Sequence, residues 1–215
     1  MNDAHYHRGG CATYLSLGGR EYRFYGVHPW EARTWCTESE ASLRDALAAD
    51  LHAGVGEIGL DRLKKKDISP MERNVFEAQL KLAAEFRRPV VLHGAKCWGA
   101  VVAACGPYAG MIPAFLFHGF SRSGGLLPAI YGLNGFVGVG SSLLNDHAVN
   151  YRALVKEVAA DRLLVETDVD YEIEPSPDST LAAILRKLAE SRGDVQGRLS
   201  AEIDANLARF AEALT

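Results

Sequence analysis

The sequence is short of cysteine: four residues in 215, Cys11, Cys36, Cys97 and Cys105, at irregular spacings and without a CxxC pair. Neither a disulfide framework nor a zinc knuckle is written into such a pattern, and the thiols read as reduced structural groups. Long apolar runs are also missing. Stretches such as 89–92 and 114–117 fall far short of the roughly 20 apolar residues that cross a bilayer. The chain opens on Asn2-Asp3 without a basic and then apolar leader, so the expectation is a cytoplasmic protein with no membrane contact. Nothing in the sequence calls for a stable protein partner. Basic residues are not in excess either: Lys plus Arg number 23 against 27 Asp plus Glu, a net charge of -4. That balance excludes a protein that coats duplex nucleic acid by bulk electrostatics, and any such contact has to be local. Repeats, low-complexity tracts and linkers are absent, and 48% hydrophobic residues suffice for one core. A single domain over residues 1–215 is expected.

What is present is alternation. Short apolar runs at 2–7, 23–28, 54–61, 89–93, 115–118, 135–140 and 163–168 end in polar residues. Between them lie amphipathic stretches, the pattern of strand and helix alternating around a parallel sheet. Thr37 to Glu40 has capping-box spacing ahead of Leu43, Leu47 and Leu51, and Gly54 stands ready to stop that helix. Ser69, Pro70 and Glu72 start a second helix, with Phe76, Leu80, Ala83 and Phe86 on its buried face. Further helices are predicted at 97–105, 124–132, 150–159, 178–192 and 200–214. From His28 on, strand ends near 28, 60, 93, 118, 140 and 168 are spaced like single βα units of a barrel, which average about 31 residues. The stretch from His7 to His28 is the exception. It reads as two strands around Gly18-Gly19, a hairpin in place of a βα unit. The predicted fold class is therefore α/β: a distorted TIM-like (β/α) barrel with one βα unit trimmed and replaced by a hairpin near residues 13–24.

His5 and His7 stand two apart in a strand, so both side chains face one side, and one ion can take both. Glu57, His93, His118 and Asp168 each fall at or near the C-terminal end of a separate strand, the rim on which barrel enzymes assemble their sites. Four imidazoles and two carboxylates suit zinc, manganese, magnesium or a similar divalent ion. With Glu57 as bridge they suit two such ions, which would acidify a water between them. His28, followed by Pro29-Trp30, reads as a hydrogen-bonded structural residue, and His52 and His147 as surface residues. Glu166 shares a face with Asp168 and reads as a structural neighbour.

These residues lie in motifs that resemble those of the TatD-like metal-dependent hydrolases, also described as TatD DNases. The motifs are Asp3-Ala4-His5-Tyr6-His7, Gly26-Val27-His28-Pro29-Trp30, Gly56-Glu57-Ile58-Gly59-Leu60-Asp61, Pro89-Val90-Val91-Leu92-His93, His118-Gly119-Phe120-Ser121 and Val165-Glu166-Thr167-Asp168. They run in family order, and Asn206-Leu207-Ala208-Arg209-Phe210 is similar to the family's closing helix. The resemblance implies a TIM barrel in which His5, His7, Glu57 and Asp168 hold one ion while Glu57, His93 and His118 hold another. It implies too that Asp168 orients and deprotonates the attacking water, with Glu57 as the second catalytic carboxylate. The chain departs from the family in its trimmed first unit, in Arg122 where glycine is usual, and in Asp170 where proline is common.

Cleavage of a phosphodiester needs cations on the developing charge and donors for the non-bridging oxygens. Arg62 with 64–66, then Lys96, Ser121 and Arg122, are candidates for binding phosphates, although a basic run such as 62–66 equally suits a solvated turn. Trp30 and Trp98 are candidates for stacking on unpaired bases, while Tyr25 suits the core. The function these readings favour is a metal-dependent nuclease whose partner is nucleic acid, cleaving DNA. Two others stay open: hydrolysis of an ester or amide, such as an aminoacyl-tRNA ester, and a metal-binding interaction protein without turnover.

Overall fold

The computed structural model describes residues 2–8, 12–63, 67–121, 124–171 and 178–215. Its strands form one eight-stranded sheet in chain order. The first three are β1 (Asp3–Arg8), β2 (Ala12–Leu17) and β3 (Arg20–Tyr25). β2 runs antiparallel to both neighbours, and its turn to β3 is the expected hairpin, with Leu17 opposite Arg20. Gly18 and Gly19 have φ of 60° and 81°, the left-handed backbone that a two-residue turn of this kind demands at both positions. From β3 on, the wall is parallel and helices alternate with strands. In order come α1 (Thr37–Ala49), β4 (Gly54–Asp61), α2 (Pro70–Glu85), β5 (Val90–Ala95) and α3 (Trp98–Cys105). Then follow β6 (Phe115–Phe117), α4 (Leu127–Gly132), β7 (Gly135–Val139), α5 (Val149–Glu157), β8 (Leu163–Val165), α6 (Asp178–Arg192) and α7 (Gln196–Ala211). The distorted barrel with a hairpin in place of one βα unit is thus the fold observed.

The wall closes through the segment that follows β8 rather than through β8 itself. Asp168 N donates to His5 O at 3.1 Å, His7 N to Val169 O at 2.8 Å, and Tyr171 N to His7 O at 3.0 Å. Asp3 rivets the same seam from below: its buried carboxylate accepts from the backbone N–H of His5 and Thr167 and from the hydroxyls of Thr167 and Tyr171. Burial pushes its pKa up to about 6, against the lowering effect of those donors.

Two apolar layers fill the molecule. Outside the wall, Val55, Ile58, Leu92 and Val137 share a buried cluster with Leu47, Phe76, Leu80 and Ile184 from the helices. Inside, Ala4, Leu15, Phe24, Val91, Leu116, Phe136 and Leu164 meet Leu207 and Phe210 of α7. Phe210 lies 6.3 Å from Phe24 of β3 and 5.7 Å from Phe136 of β7, so α7 plugs the barrel between opposite strands. Asn206 ties that plug to the start of β8 by donating to the carbonyls of Ala160 and Leu163. No described helix is long and apolar enough to cross a membrane.

Local signals were mostly obeyed, with two differences. The helix after Pro29-Trp30 begins one residue earlier than the Thr37–Glu40 spacing suggests, because Ser39 Oγ accepts from Cys36 N at 2.7 Å and forms the cap itself. That helix ends at Ala49, which leaves Leu51 67% exposed instead of buried. At Ser69 the expected reciprocal cap is present: Glu72 N donates to Ser69 Oγ, and Glu72 Oε2 accepts from Ser69.

Candidate metal centre

The rim is where the strand ends deliver their polar residues. His5 and His7 come from β1, Glu57 from the middle of β4 and His93 from β5. His118 and Asp168 lie just past β6 and β8, outside the strands that the sequence suggested would carry them. For Asp168 the reason is local: its φ of 58° is left-handed backbone that a strand cannot hold, and aspartate is among the side chains that tolerate it.

All six converge on one carboxylate. Glu57 Oε1 lies 2.7 Å from His93 Nδ1 and 2.9 Å from His118 Nε2, and its Oε2 lies 3.6 Å from His5 Nε2 and 3.8 Å from His7 Nε2. Asp168 Oδ1 sits 3.3 and 3.4 Å from the same two imidazoles. Three overlapping groups, His5–His7–Glu57, His5–His118–Asp168 and His28–Glu57–His93, hold their donor atoms within 4.8 Å of one another. Burial alone would raise the pKa of Glu57, but His118 and His93 override it and hold Glu57 well below the usual carboxylate range. Asp168 is lowered in the same way, with His5 and His7 overcoming burial. Burial opposes charge on His118 as well, yet Glu57 and Glu166 raise its pKa well above normal.

Whether divalent ions fit this set is decided by His5. Its side chain is completely buried, and neither ring nitrogen makes a hydrogen bond. An imidazole hidden from water with both nitrogens idle is costly, and a cation shared with Glu57 and Asp168 removes that cost. The neighbours are arranged consistently with this. Asp61 Oδ2 lies 2.9 Å from His93 Nε2, so it can hold the Nε2 proton and leave Nδ1 aimed at Glu57. Glu166 Oε1 stands 3.5 Å behind His118 Nδ1 while accepting from Gly119 N at 2.6 Å. Carboxylates placed behind imidazoles in this way fix the nitrogen that faces a metal. Gly138 makes room for Glu166, since a Cβ there would come within 2.1 Å of its Oε2.

Sequence reasoning undervalued three of these residues. His28 was read as structural, yet its Nε2 reaches to 3.7 Å from Glu57. Burial beside His93 and His118 lowers its pKa to about 4, so it is neutral at pH 7. Its Nδ1 accepts from Trp30 N at 3.2 Å, which leaves the proton on Nε2, turned into the site as a donor. Asp61 was legible, because period two in β4 places 57 and 61 on one face. Glu166 acts at a distance that only the folded chain reveals.

The residues 11–212 match the sequence pattern of the family described as TatD related DNase. The chain belongs to that family. It is 33% identical over 197 residues to the 3'-5' ssDNA/RNA exonuclease TatD of Cronobacter sakazakii, which covers 86% of this chain and 74% of that protein. It is 30% identical over 196 residues to the enzyme of the same name from Pectobacterium parmentieri, covering 86% and 75%. Among solved structures, YJJV, a TatD homologue of Escherichia coli K12, superimposes with a TM-score of 0.75 at 24% identity, over 88% of this chain and 76% of that one.

Around the TatD rim the chain forms a cleft of about 400 Å³ lined by His7, His28, Trp30, Glu57, His93, His118 and Asp168. The hairpin that replaces the βα unit adds Thr13 to its wall, with a buried hydroxyl that has no partner. Of the phosphate candidates, Arg62 and Lys96 line a second cleft of about 310 Å³ together with Asp67 and Arg73. Ser121 is exposed and lines neither of these two clefts. Arg122 and residues 64–66 lie outside the described residues. Trp98 is buried against Phe117 and Phe120 and is not at the rim. Tyr25 is half-buried against the core.

Proposed function

We propose that this chain is a metal-dependent phosphodiesterase that removes nucleotides from the ends of single-stranded nucleic acid. The observation that carries the proposal is the convergence of four imidazoles and two carboxylates on Glu57, with both nitrogens of a fully buried His5 left without hydrogen bonds. His5, His7, Glu57 and Asp168 would hold one divalent ion, and Glu57, His93 and His118 a second. Such ions lower the pKa of water and neutralise charge on the phosphoryl oxygens. The chain supplies the rest. Asp168, half-exposed at the cleft and held as a carboxylate by its imidazole neighbours, orients the attacking water and takes its proton on Oδ. His28 offers its Nε2–H to a phosphoryl oxygen. Asp61 and Glu166 keep His93 and His118 turned toward Glu57.

The substrate class rests on the relatives, whose names specify 3'-5' action on single-stranded DNA and RNA. The test is a screen of the metal-reconstituted protein, with Zn, Mn and Mg in separate arms. The substrates are end-labelled single-stranded DNA and RNA, duplex DNA, simple carboxyl esters and aminoacyl-tRNA. Loss of nucleotides one at a time from the 3' end of the single strands is the expected result. Turnover confined to the esters or to aminoacyl-tRNA would replace the proposal with carbonyl hydrolysis, and a bound metal with no turnover anywhere would replace it with a binding role.

A further inference from the structure

Trp30 is the largest exposed aromatic side chain among the described residues, 59% accessible, and it lines the candidate cleft. The other two tryptophans are placed differently: Trp98 is buried and Trp35 packs against the core. Trp30 is also held by its edge. Its Nε1–H donates to Asp61 Oδ2 at 2.8 Å, the oxygen that faces His93, and its ring meets His28 edge-on at 4.7 Å. An indole fixed along one edge and open on its face is a ready surface for a flat ligand, since little side-chain freedom remains to be lost on contact. The charge around it selects among flat ligands. Glu31 lines the cleft next to it and Asp61 holds its edge, so the surroundings oppose a phosphate and favour a neutral ring.

We infer that Trp30 is the stacking platform for the unpaired base at the end of the strand, placing that base beside His28 and His93 while its phosphate lies over Glu57. The inference rests on the nucleic-acid reading above. It adds a requirement for an unpaired base at the strand end, because only an unstacked base can lie on the ring. Stacking on an aromatic side chain tolerates every base, so it selects single strands without selecting sequence.

The test compares two strands that differ only at the terminal nucleotide, oligothymidylate and the same oligomer ending in an abasic tetrahydrofuran residue. On the metal-loaded protein, hydrolysis-resistant phosphorothioate versions are titrated against tryptophan fluorescence, and hydrolysable versions are used for kinetics. The base-bearing strand should quench the fluorescence, the abasic strand should not, and Trp30→Phe should remove the quenching. The KM ratio between the strands should favour the base-bearing one by roughly 5- to 100-fold in the wild type. Trp30→Ala should collapse that ratio toward one, whereas Trp30→Phe, which keeps a ring but has no N–H for Asp61, should keep most of it. An equal fall in kcat on both strands with the ratio intact would make Trp30 a prop for Asp61 and His93, and would overturn the inference. Base-dependent quenching without hydrolysis would uphold the stacking while refuting the hydrolytic reading, and hydrolysis without it would do the reverse.

Discussion

Glu57 is buried, charged and surrounded by imidazoles, and each of these depends on the others. A carboxylate in the interior without partners takes up a proton; here His118 and His93 hold it as an anion. Glu57→Gln should therefore lose metal together with activity, because a neutral amide cannot hold two cations. Asp168→Asn should behave differently. Asparagine accepts the left-handed backbone at that position and still offers an oxygen, so folding and most of the bound metal should survive. It cannot take a proton from water, and turnover should fall by about 10²–10⁴-fold. Elemental analysis, circular dichroism and kinetics on the two variants separate assembly of the site from proton transfer. The six converging residues were legible in the sequence because each stands at a strand end and two share a period of two. His28 and Glu166 were not, since their importance lies in which neighbour stands behind which ring. The phosphate contacts were the least legible: Arg62 and Lys96 are close in sequence to Asp61 and His93 yet line a different cleft.

Among the elements, the hairpin is the feature most particular to this chain, and two glycines made it readable. Gly19 has a φ of 81° with open space where a side chain would go, so a substitution there tests backbone preference alone. Gly19→Ala should cost about 1–2 kcal/mol, and Gly19→Asn distinctly less, in urea unfolding of the metal-free protein. The cap on α2 gives a second prediction. Ser69→Ala removes the acceptor for Glu72 N and should cost about 1 kcal/mol, read from the same unfolding curves. Helix positions in the sequence were recovered well because caps and apolar periodicity act over a few residues. The cap at Cys36 shows where this ends: Thr37 and Ser39 both offer hydroxyls, and the choice between them depends on the path of the chain out of Thr34 and Trp35. Strand ends were set too late at β3, β6 and β8 for a similar reason. Polar residues beyond the ladder look like a continuing strand until the bends at His118 and Asp168 are seen.

For the whole molecule, the barrel is held shut at one seam, where β1 meets the segment after β8, and the candidate ligands His5, His7 and Asp168 lie on either side of it. Ions bound there would fasten the seam as well as support chemistry. Thermal unfolding should consequently rise with metal concentration and fall on chelation, by about 2.7 kcal/mol at a hundredfold excess over Kd; a melting curve indifferent to chelator would place the ions elsewhere. The seven parallel strands and the hairpin were foreseeable from the sequence, whereas the closing of the wall by 168–171 was not, because those hydrogen bonds join residues more than 160 positions apart. The most direct test of the account is to count ions and turnover on one reconstituted sample. Elemental analysis should find about two divalent ions per chain, and the same sample should shorten 3'-labelled single-stranded DNA, with both quantities lost in Glu57→Gln. Fewer than one ion per chain after careful reconstitution, or two ions with no phosphodiester cleavage, would contradict it.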